Sequence, residues 1–233
     1  MNVDDLVLVQ GMHDTRLALR RFKDRPGAVL RPWMGLSVII ALVLLATVWA
    51  VAALSPADPT TIPLNGVAFD PGLADYGHIL YRNSLVLALH AMACVAGFMA
   101  GSSLPLSAAN RSGVDRWVHE KAGPLAIGFV TLATLFSLGT QAYAIGGTAA
   151  TVAAQLQISP GLLMLGLLPH ALPELVALFL PLAAWLIASR QKRWDELLGA
   201  TVVCVGLAVP VLLVSAAVEL WISPELMKAI AGA

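Results

Sequence analysis

The chain has 233 residues, of which 58% are hydrophobic and only 12% are charged, and its formal net charge is zero. This composition is more apolar than that of ordinary soluble domains, and it predicts an integral membrane protein. The zero net charge argues against nucleic acid as a partner. The sequence has no Gly-rich phosphate-binding motif, so any ATP hydrolysis is expected to come from a separate subunit.

The N-terminal segment, residues 1–33, is polar and basic and has a weak apolar face. We interpret it as a short cytosolic amphipathic helix that lies on anionic lipid, where each basic residue contributes roughly 1 kcal/mol. The alternative is a solvated basic flank whose only effect is to set the orientation of the first span.

Five later stretches reach about the 20 apolar residues that a helix needs to cross a hydrocarbon core. Transmembrane barrels show short alternating segments instead, so we predict an all-α fold, a polytopic bundle that forms one domain over residues 34–233. Residues 144–158 are less apolar, and an interfacial or a re-entrant helix is one interpretation of them. The predicted spans are residues 34–54, 83–104, 124–143, 160–189 and 197–222.

The distribution of Lys and Arg predicts the orientation of these spans. Of the 14 basic residues, six precede the first span, three lie from Arg111 to Lys121 and three lie from Arg190 to Arg193. All twelve fall on one side of the membrane, and basic residues accumulate on the cytosolic side. We therefore predict an N-terminus inside the cell and a C-terminus outside it.

Proline residues interrupt the fourth predicted span. Pro169 and Pro173 each remove a backbone hydrogen-bond donor, and a proline ring also disturbs the preceding helical turn. We therefore predict that the fourth helix is kinked at these two residues.

Two acidic residues lie inside predicted spans, where a charge costs about 2.5–3.5 kcal/mol on insertion scales. Residues three, four or seven apart share a helix face, so each acid belongs to a polar stripe. We expect the stripes of four spans to face the bundle interior as one polar network. Its members are Asn83 and His90 in the second span, Thr134, Ser137 and Gln141 in the third, His170 and Glu174 in the fourth, and Ser215 and Glu219 in the fifth.

Three interpretations of this polar network are open. In the first, the groups bond to one another and to backbone groups that the prolines leave free, which fixes the helix packing. In the second, they line a polar cavity or a path for protons or solutes, because carboxylates and imidazoles form intramembrane relays. In the third, four of the groups hold a zinc or iron ion, namely His90, His170, Glu174 and Glu219. The spacing of these residues matches no established metal motif.

Catalytic motifs are missing from the sequence. There is no Gly-x-Ser-x-Gly nucleophile elbow, and the two cysteines, Cys94 and Cys204, are single residues in apolar stretches. We therefore expect a protein that is not an enzyme and that carries no cofactor.

Three motifs, in this order, resemble recurring signatures of the stage II sporulation protein M family. They are "RNSLVLALHAMACVAGFMAG" from Arg82, "LLPHALPEL" from Leu167 and "SAAVELWISP" from Ser215. The chain departs from the family pattern at Ala171, where Gly is usual, and at Pro173. By this resemblance the signature residues are Asn83, which opens a span, Pro169, His170 and Glu174, which form a Pro-His-Glu signature, and the terminal Glu219 and Pro224.

The resemblance implies a five-span membrane protein without enzymatic activity. In spore-forming bacteria, members of the family join two cell-wall-degrading partners at the engulfing membrane and assemble that complex. Relatives also occur in organisms that form no spores, and some are encoded beside an AAA-type ATPase.

We therefore hypothesise a multi-pass scaffold or assembly subunit of the cytoplasmic membrane. Its expected partners are lipid and other membrane or envelope proteins, with an ATPase subunit or a second copy of the chain as further candidates. The alternative is a permease-like transport or export component that works with a separate ATPase.

Overall fold

A computed structural model describes residues 7–57, 72–103 and 112–232, and within these ranges the regular structure is helical and includes no strand. The predicted all-α fold class is therefore confirmed. Residues 1–6, residue 104 at the end of the second predicted span, and residue 233 lie outside the described ranges.

Seven α-helices follow one another in the described ranges. They are α1 (Val7–Asp24), α2 (Pro26–Leu54), α3 (Leu73–Phe98), α4 (Gly113–Gln155), α5 (Pro160–Gln191), α6 (Leu197–Ala217) and α7 (Ser223–Ala231). A π-helical segment, Met99–Ser103, extends α3, and a second one, Val218–Ile222, joins α6 to α7. A short 3₁₀ turn, Trp194–Glu196, precedes α6.

Five stretches of these helices are long and apolar enough to cross a membrane, which agrees with the predicted number of spans. The orientation of the termini and the kink in α5 stay predictions. The five stretches are Pro26–Leu54, Leu73–Gly101, Ile127–Gln155, Pro160–Gln191 and Trp194–Ala231.

Helix α4 is much longer than the third predicted span. It starts at Gly113, before the predicted start of that span at residue 124, and it continues to Gln155 without a break after Tyr143. Packing explains the C-terminal extension, because Ala149, Ala150 and Ala153 form a buried cluster with Ala52 of α2 and Leu163 of α5. This packing outweighs the weak helix propensity of the paired glycines at 146 and 147.

The chain divides into two compact units, each described here by itself. The first is bounded by Met1–Ser37, Leu85–Thr134 and Leu178–Ala208, and the second by Val38–Ser84, Leu135–Ala177 and Val209–Ala233.

The core of the first unit contains side chains of α1 together with side chains of three candidate membrane-spanning helices. Phe22 of α1 and Trp33 of α2 meet edge to face, with ring centroids 5.4 Å apart. Part of the apolar face of the N-terminal segment is thus used inside the protein. The other buried members of this core are Ala18, Leu180, Ala184, Ala200 and Cys204.

Gly97 allows α3 to approach α5 and α6 closely in the first unit. A Cβ atom at this position would lie 2.7 Å from the indole nitrogen of Trp185 and 2.8 Å from a methyl group of Leu197. Both distances are too short for non-bonded atoms, so a larger residue requires the helices to separate. Gly-x-x-x-Gly spacing of this kind, completed here by Gly101, is typical of closely packed membrane helices.

The substitution Gly97→Ala should lower the stability of the protein by about 1–3 kcal/mol, because it overpacks the contact with Trp185. The matched control is Gly206→Ala on α6, where an added Cβ meets no atom within 4 Å. The control should leave stability unchanged or raise it by up to about 1 kcal/mol, since Ala favours helix. Thermal unfolding in detergent, followed by tryptophan fluorescence, measures both. Equal midpoints for the two variants would contradict the close packing.

Candidate functional site

Four charged or polar residues of the second unit, all within candidate membrane-spanning stretches, form an electrostatic cluster. Arg82 and Asn83 lie on α3, Glu174 lies on α5, and Glu219 lies in the π-helical segment after α6. We call these four residues the acidic cluster. Glu174 and Glu219 interact electrostatically with each other, and Arg82 interacts with both of them.

The position of Glu219 follows from the local sequence. Pro224 cannot donate a backbone hydrogen bond to the carbonyl group of Leu220, four residues earlier, so the regular α-helical pattern cannot continue through this turn. The chain forms the π-helical segment Val218–Ile222 here and starts α7 at Ser223. Single π-helical turns are frequent at functional sites in helices, because they redirect side chains.

The acidic cluster contains one cation for two carboxylates. Within the described residues no atom of Arg82 lies within ion-pair distance of an acid, and its side chain is exposed. Arg82 therefore interacts with the two acids over a distance longer than that of an ion pair.

Two atoms of the acidic cluster are buried without a hydrogen-bond partner in the described part of the chain, Nδ2 of Asn83 and Oε2 of Glu174. The Asn83 side chain is near enough to Glu174 to stabilise it electrostatically, yet the geometry does not reach that of a hydrogen bond. Such atoms normally carry a cost of about 1–3 kcal/mol. A site with such unpaired buried atoms can form new hydrogen bonds when a ligand, a proton or a partner protein binds.

His170 does not pair with Glu174, although the two lie one turn apart. Its Nδ1 atom lies 2.7 Å from the hydroxyl oxygen of Ser223, and both residues are buried. This hydrogen bond connects α5 to the first residue of α7. His170 therefore stabilises the packing of the helix that follows the π-helical segment.

His90 belongs to the first unit and has a backbone partner. Its Nδ1 atom lies 2.8 Å from the carbonyl oxygen of Leu178, and its ring contacts Phe179. One turn further along α3, the thiol of Cys94 donates to the carbonyl oxygen of Pro181 at 3.2 Å. Both acceptors are backbone carbonyl groups of α5, one of Pro181 itself and one three residues before it.

The stripe on α4 differs from the predicted one. Gln141 is exposed, and its Nε2 atom donates to the Ser137 hydroxyl at 3.0 Å on the same helix, while Thr134 and Ser137 are half-buried. The expectation that this stripe faces the bundle interior is therefore wrong for Gln141. The physical reason is that α4 uses the opposite face, with its small side chains, for packing inside the protein.

The two prolines of the predicted kink line a small cavity. Pro169 and Pro173 are exposed and share a cavity of about 360 Å³ with Ser215 and with apolar residues of α6 and the π-helical segment. The apolar lining residues are Pro210, Val211, Val214 and Val218. Ser215 is buried and is the one polar residue among them.

The metal interpretation has no geometric support. Among the described residues there is no group of three or more His, Cys, Asp and Glu side chains that could hold a metal ion. The Nδ1 atom of His170 is engaged by Ser223, and the Nδ1 atom of His90 is engaged by the carbonyl group of Leu178.

Two residues of this region lie outside the polar network predicted from the sequence. Arg82 is not among the residues of the predicted polar network, although it immediately precedes the span-opening Asn83 and is the cation nearest in sequence to that stripe. Ser223 was not considered, although it lies between Glu219 and the proline that ends the third motif. In both cases, the position next to a residue of a family-like motif was the feature of the sequence that could have indicated the residue.

Comparison with protein families gives one match. Residues 123–224 match the family model described as stage II sporulation protein M. Over this part, less than half of its length, the chain is similar to that family. The resemblance predicted from the sequence is confirmed there. No curated protein and no solved structure matches the chain significantly.

The matched residues include two of the three motifs. The Pro-His-Glu signature with His170 and Glu174, and the terminal motif with Glu219, lie inside the match, whereas the motif that starts at Arg82 precedes it. The second and third motifs, which lie in the matched residues, thus supply the two acids, and α3 supplies the amide and the cation that accompany them.

The substitution Arg82→Gln should destabilise the protein by up to about 1 kcal/mol, the upper limit for interactions that involve an exposed charge. It leaves Glu174 and Glu219 without their cation. Adding Glu219→Gln should recover part of the loss, because the double variant no longer holds two like charges together. Thermal unfolding of the wild type, both single variants and the double variant measures the coupling.

The control is Arg20→Gln on α1, an exposed arginine of the first unit. It should change stability by less than about 0.5 kcal/mol. Strictly additive effects of Arg82→Gln and Glu219→Gln would show that the two residues do not interact.

Proposed function

We propose that this stage II sporulation protein M relative is a non-enzymatic scaffold of the cytoplasmic membrane that assembles other membrane or envelope proteins. The observation that carries the proposal is a polar surface on α4 at membrane depth. Gln141 and Thr148 on this surface are exposed among the described residues. The chemistry of the surface suits a transmembrane helix of another chain.

The apolar stretch of α4 is unusually exposed for a helix of a membrane bundle. Only 6% of an 18-residue apolar window in Ile127–Gln155 is buried inside the protein, compared with 61% for the corresponding window in Pro160–Gln191. Exposure to lipid alone explains the apolar side chains of such a helix. It does not explain the polar ones.

Gln141 lies equally far from both ends of the stretch Ile127–Gln155 and is exposed. With Ser137, Ala144 and Thr148 it forms a line of polar or small residues at spacings of four, three and four, which we call the polar seam. Its amide donates one hydrogen bond to Ser137, which leaves a second N–H and the carbonyl oxygen available. In hydrocarbon these groups have no partner unless another protein supplies one.

A partner helix that packs on the polar seam would satisfy this amide. Small residues permit close approach of helix backbones, and hydrogen bonds between side chains such as Gln across membrane helices contribute about 1–2 kcal/mol in model peptides. The acidic cluster and the hydrogen bond between His170 and Ser223 would hold the bundle in the arrangement that presents this seam. An ATPase subunit, another envelope protein or a second copy of the chain are the candidate partners.

The substitution Gln141→Leu should reduce the recovery of membrane partners by at least about fivefold, because one interhelical hydrogen bond of roughly 1 kcal/mol is lost. Co-purification from native membranes followed by mass spectrometry measures the recovery. A second copy is distinguished from a different protein by co-purification of two differently tagged chains.

The matched control is Tyr143→Leu. This residue is exposed on the same helix, and two positions along a helix place it on another face. It should leave partner recovery unchanged. Equal recovery with Gln141→Leu and with the wild type would contradict the role of the polar seam.

A permease-like component is the second candidate, and the unpartnered atoms of Asn83 and Glu174 favour it. A carboxylate held incompletely at membrane depth is typical of proton and ion paths. In this case the acidic cluster would be the conducting site instead of a structural lock.

The scaffold proposal predicts that Glu174→Gln leaves proton flux into proteoliposomes at the level of the wild type, measured with an enclosed pH-sensitive dye. The control is Glu225→Gln, an exposed acid on α7. A flux that is lost in Glu174→Gln, but kept in Glu225→Gln, would overturn the scaffold proposal in favour of the permease if partner recovery is unchanged.

A further inference from the structure

A cleft of about 420 Å³ opens in the first unit where two spans end. It lies between the end of α1, the start of α2, the end of α5 and the turn before α6. Because α2 and α5 are both long enough to cross the membrane, a cleft at their ends lies at the boundary between hydrocarbon and water. This position holds whichever side of the membrane the N-terminus occupies.

The polar side of the cleft is built around a buried acid. The Glu196 side chain is only 7% exposed, and it holds Arg21 and Arg193 through contacts of 3.1 Å to each of its two oxygen atoms. A guanidinium group has five N–H donors, so each arginine keeps donors for a further acceptor. The two guanidinium groups are thereby fixed in position before any ligand arrives.

Arg25 is the third guanidinium group of the cleft, and it forms no ion pair with another described residue. The cleft contains two carboxylates, Asp24 and Glu196, against three guanidinium groups. One positive charge is therefore in excess. This charge matches one phosphodiester, whose oxygen atoms are the acceptors that arginine binds in a bidentate manner.

The apolar side of the cleft faces the direction of the spans. Phe22, Val29, Trp33 and Ile187 line it, and the Trp33 ring is held edge to face against Phe22. A soluble phosphate has no use for such a surface, whereas an acyl chain packs on it. The combination of fixed arginines, one unpaired arginine and an apolar wall fits a single amphiphilic ligand.

We propose that this cleft binds one anionic phospholipid, with its phosphodiester between Arg25 and Arg193 and an acyl chain along Trp33 and Ile187. A zwitterionic choline headgroup is disfavoured, because its cation would lie beside the excess positive charge. The site is independent of the polar seam on α4. Bound lipid would join the end of α1 to the end of α5 and secure the N-terminal helix at the membrane surface.

Native mass spectrometry of the full chain in detergent tests the proposal. Phosphatidylglycerol and phosphatidylcholine with identical acyl chains are added separately after delipidation. We expect one phosphatidylglycerol to be retained, with about fivefold or greater preference over phosphatidylcholine, the factor that corresponds to roughly 1 kcal/mol per basic residue. Equal retention of the two lipids would overturn the proposal.

The variant Arg25→Gln should lower phosphatidylglycerol binding by about fivefold. It leaves the contacts of Glu196 with Arg21 and Arg193 intact, so the fold is preserved. The matched control is Arg20→Gln, an exposed arginine of α1 outside the cleft, which should bind like the wild type.

Inorganic phosphate distinguishes a lipid site from a plain anion site. Millimolar phosphate should displace little bound phosphatidylglycerol, because it gains nothing from the apolar wall. Complete displacement by phosphate, or the same loss of binding in Arg20→Gln as in Arg25→Gln, would overturn the proposal of a lipid site.

Discussion

The structure depends on one constraint, which is that a polar or charged group at membrane depth needs a partner within protein. His170 has such a partner in the hydroxyl group of Ser223, and His90 has one in a backbone carbonyl group of α5. The acidic cluster meets the constraint only in part, because a single exposed arginine accompanies two carboxylates. Gln141 meets it only through its neighbour on the same helix. The groups whose polar atoms have the fewest partners are therefore the best candidates for a functional role.

These incompletely satisfied groups are on different elements and suggest different roles. The acidic cluster joins three helices of the second unit through interactions that a change in protonation would alter. The polar seam is directed away from the alanine-rich face of α4 and offers an amide that the bundle does not use. An assembly subunit requires both properties, namely a bundle with a defined arrangement and a surface that remains unsatisfied until a partner binds.

The sequence was sufficient for the fold class and the number of spans, because apolar runs of membrane-spanning length leave few alternatives. It also identified Glu174 and Glu219 as a pair, since an acid inside an apolar run stands out. It could not place Gln141, because periodicity shows which residues share a face and does not show what that face contacts. Nor could it reveal Arg82 as the counter-charge, because that interaction joins three helices whose mutual packing is a tertiary property.

Cryo-electron microscopy of the protein, extracted together with its native lipids and partners, tests the central claim most directly. The account predicts a helix of another chain packed on Ser137, Gln141 and Thr148, with the Gln141 amide bonded across the interface and no continuous water passage beside Glu174. A single chain whose Gln141 contacts only lipid, or a hydrated path along Glu174 and Glu219, would contradict it.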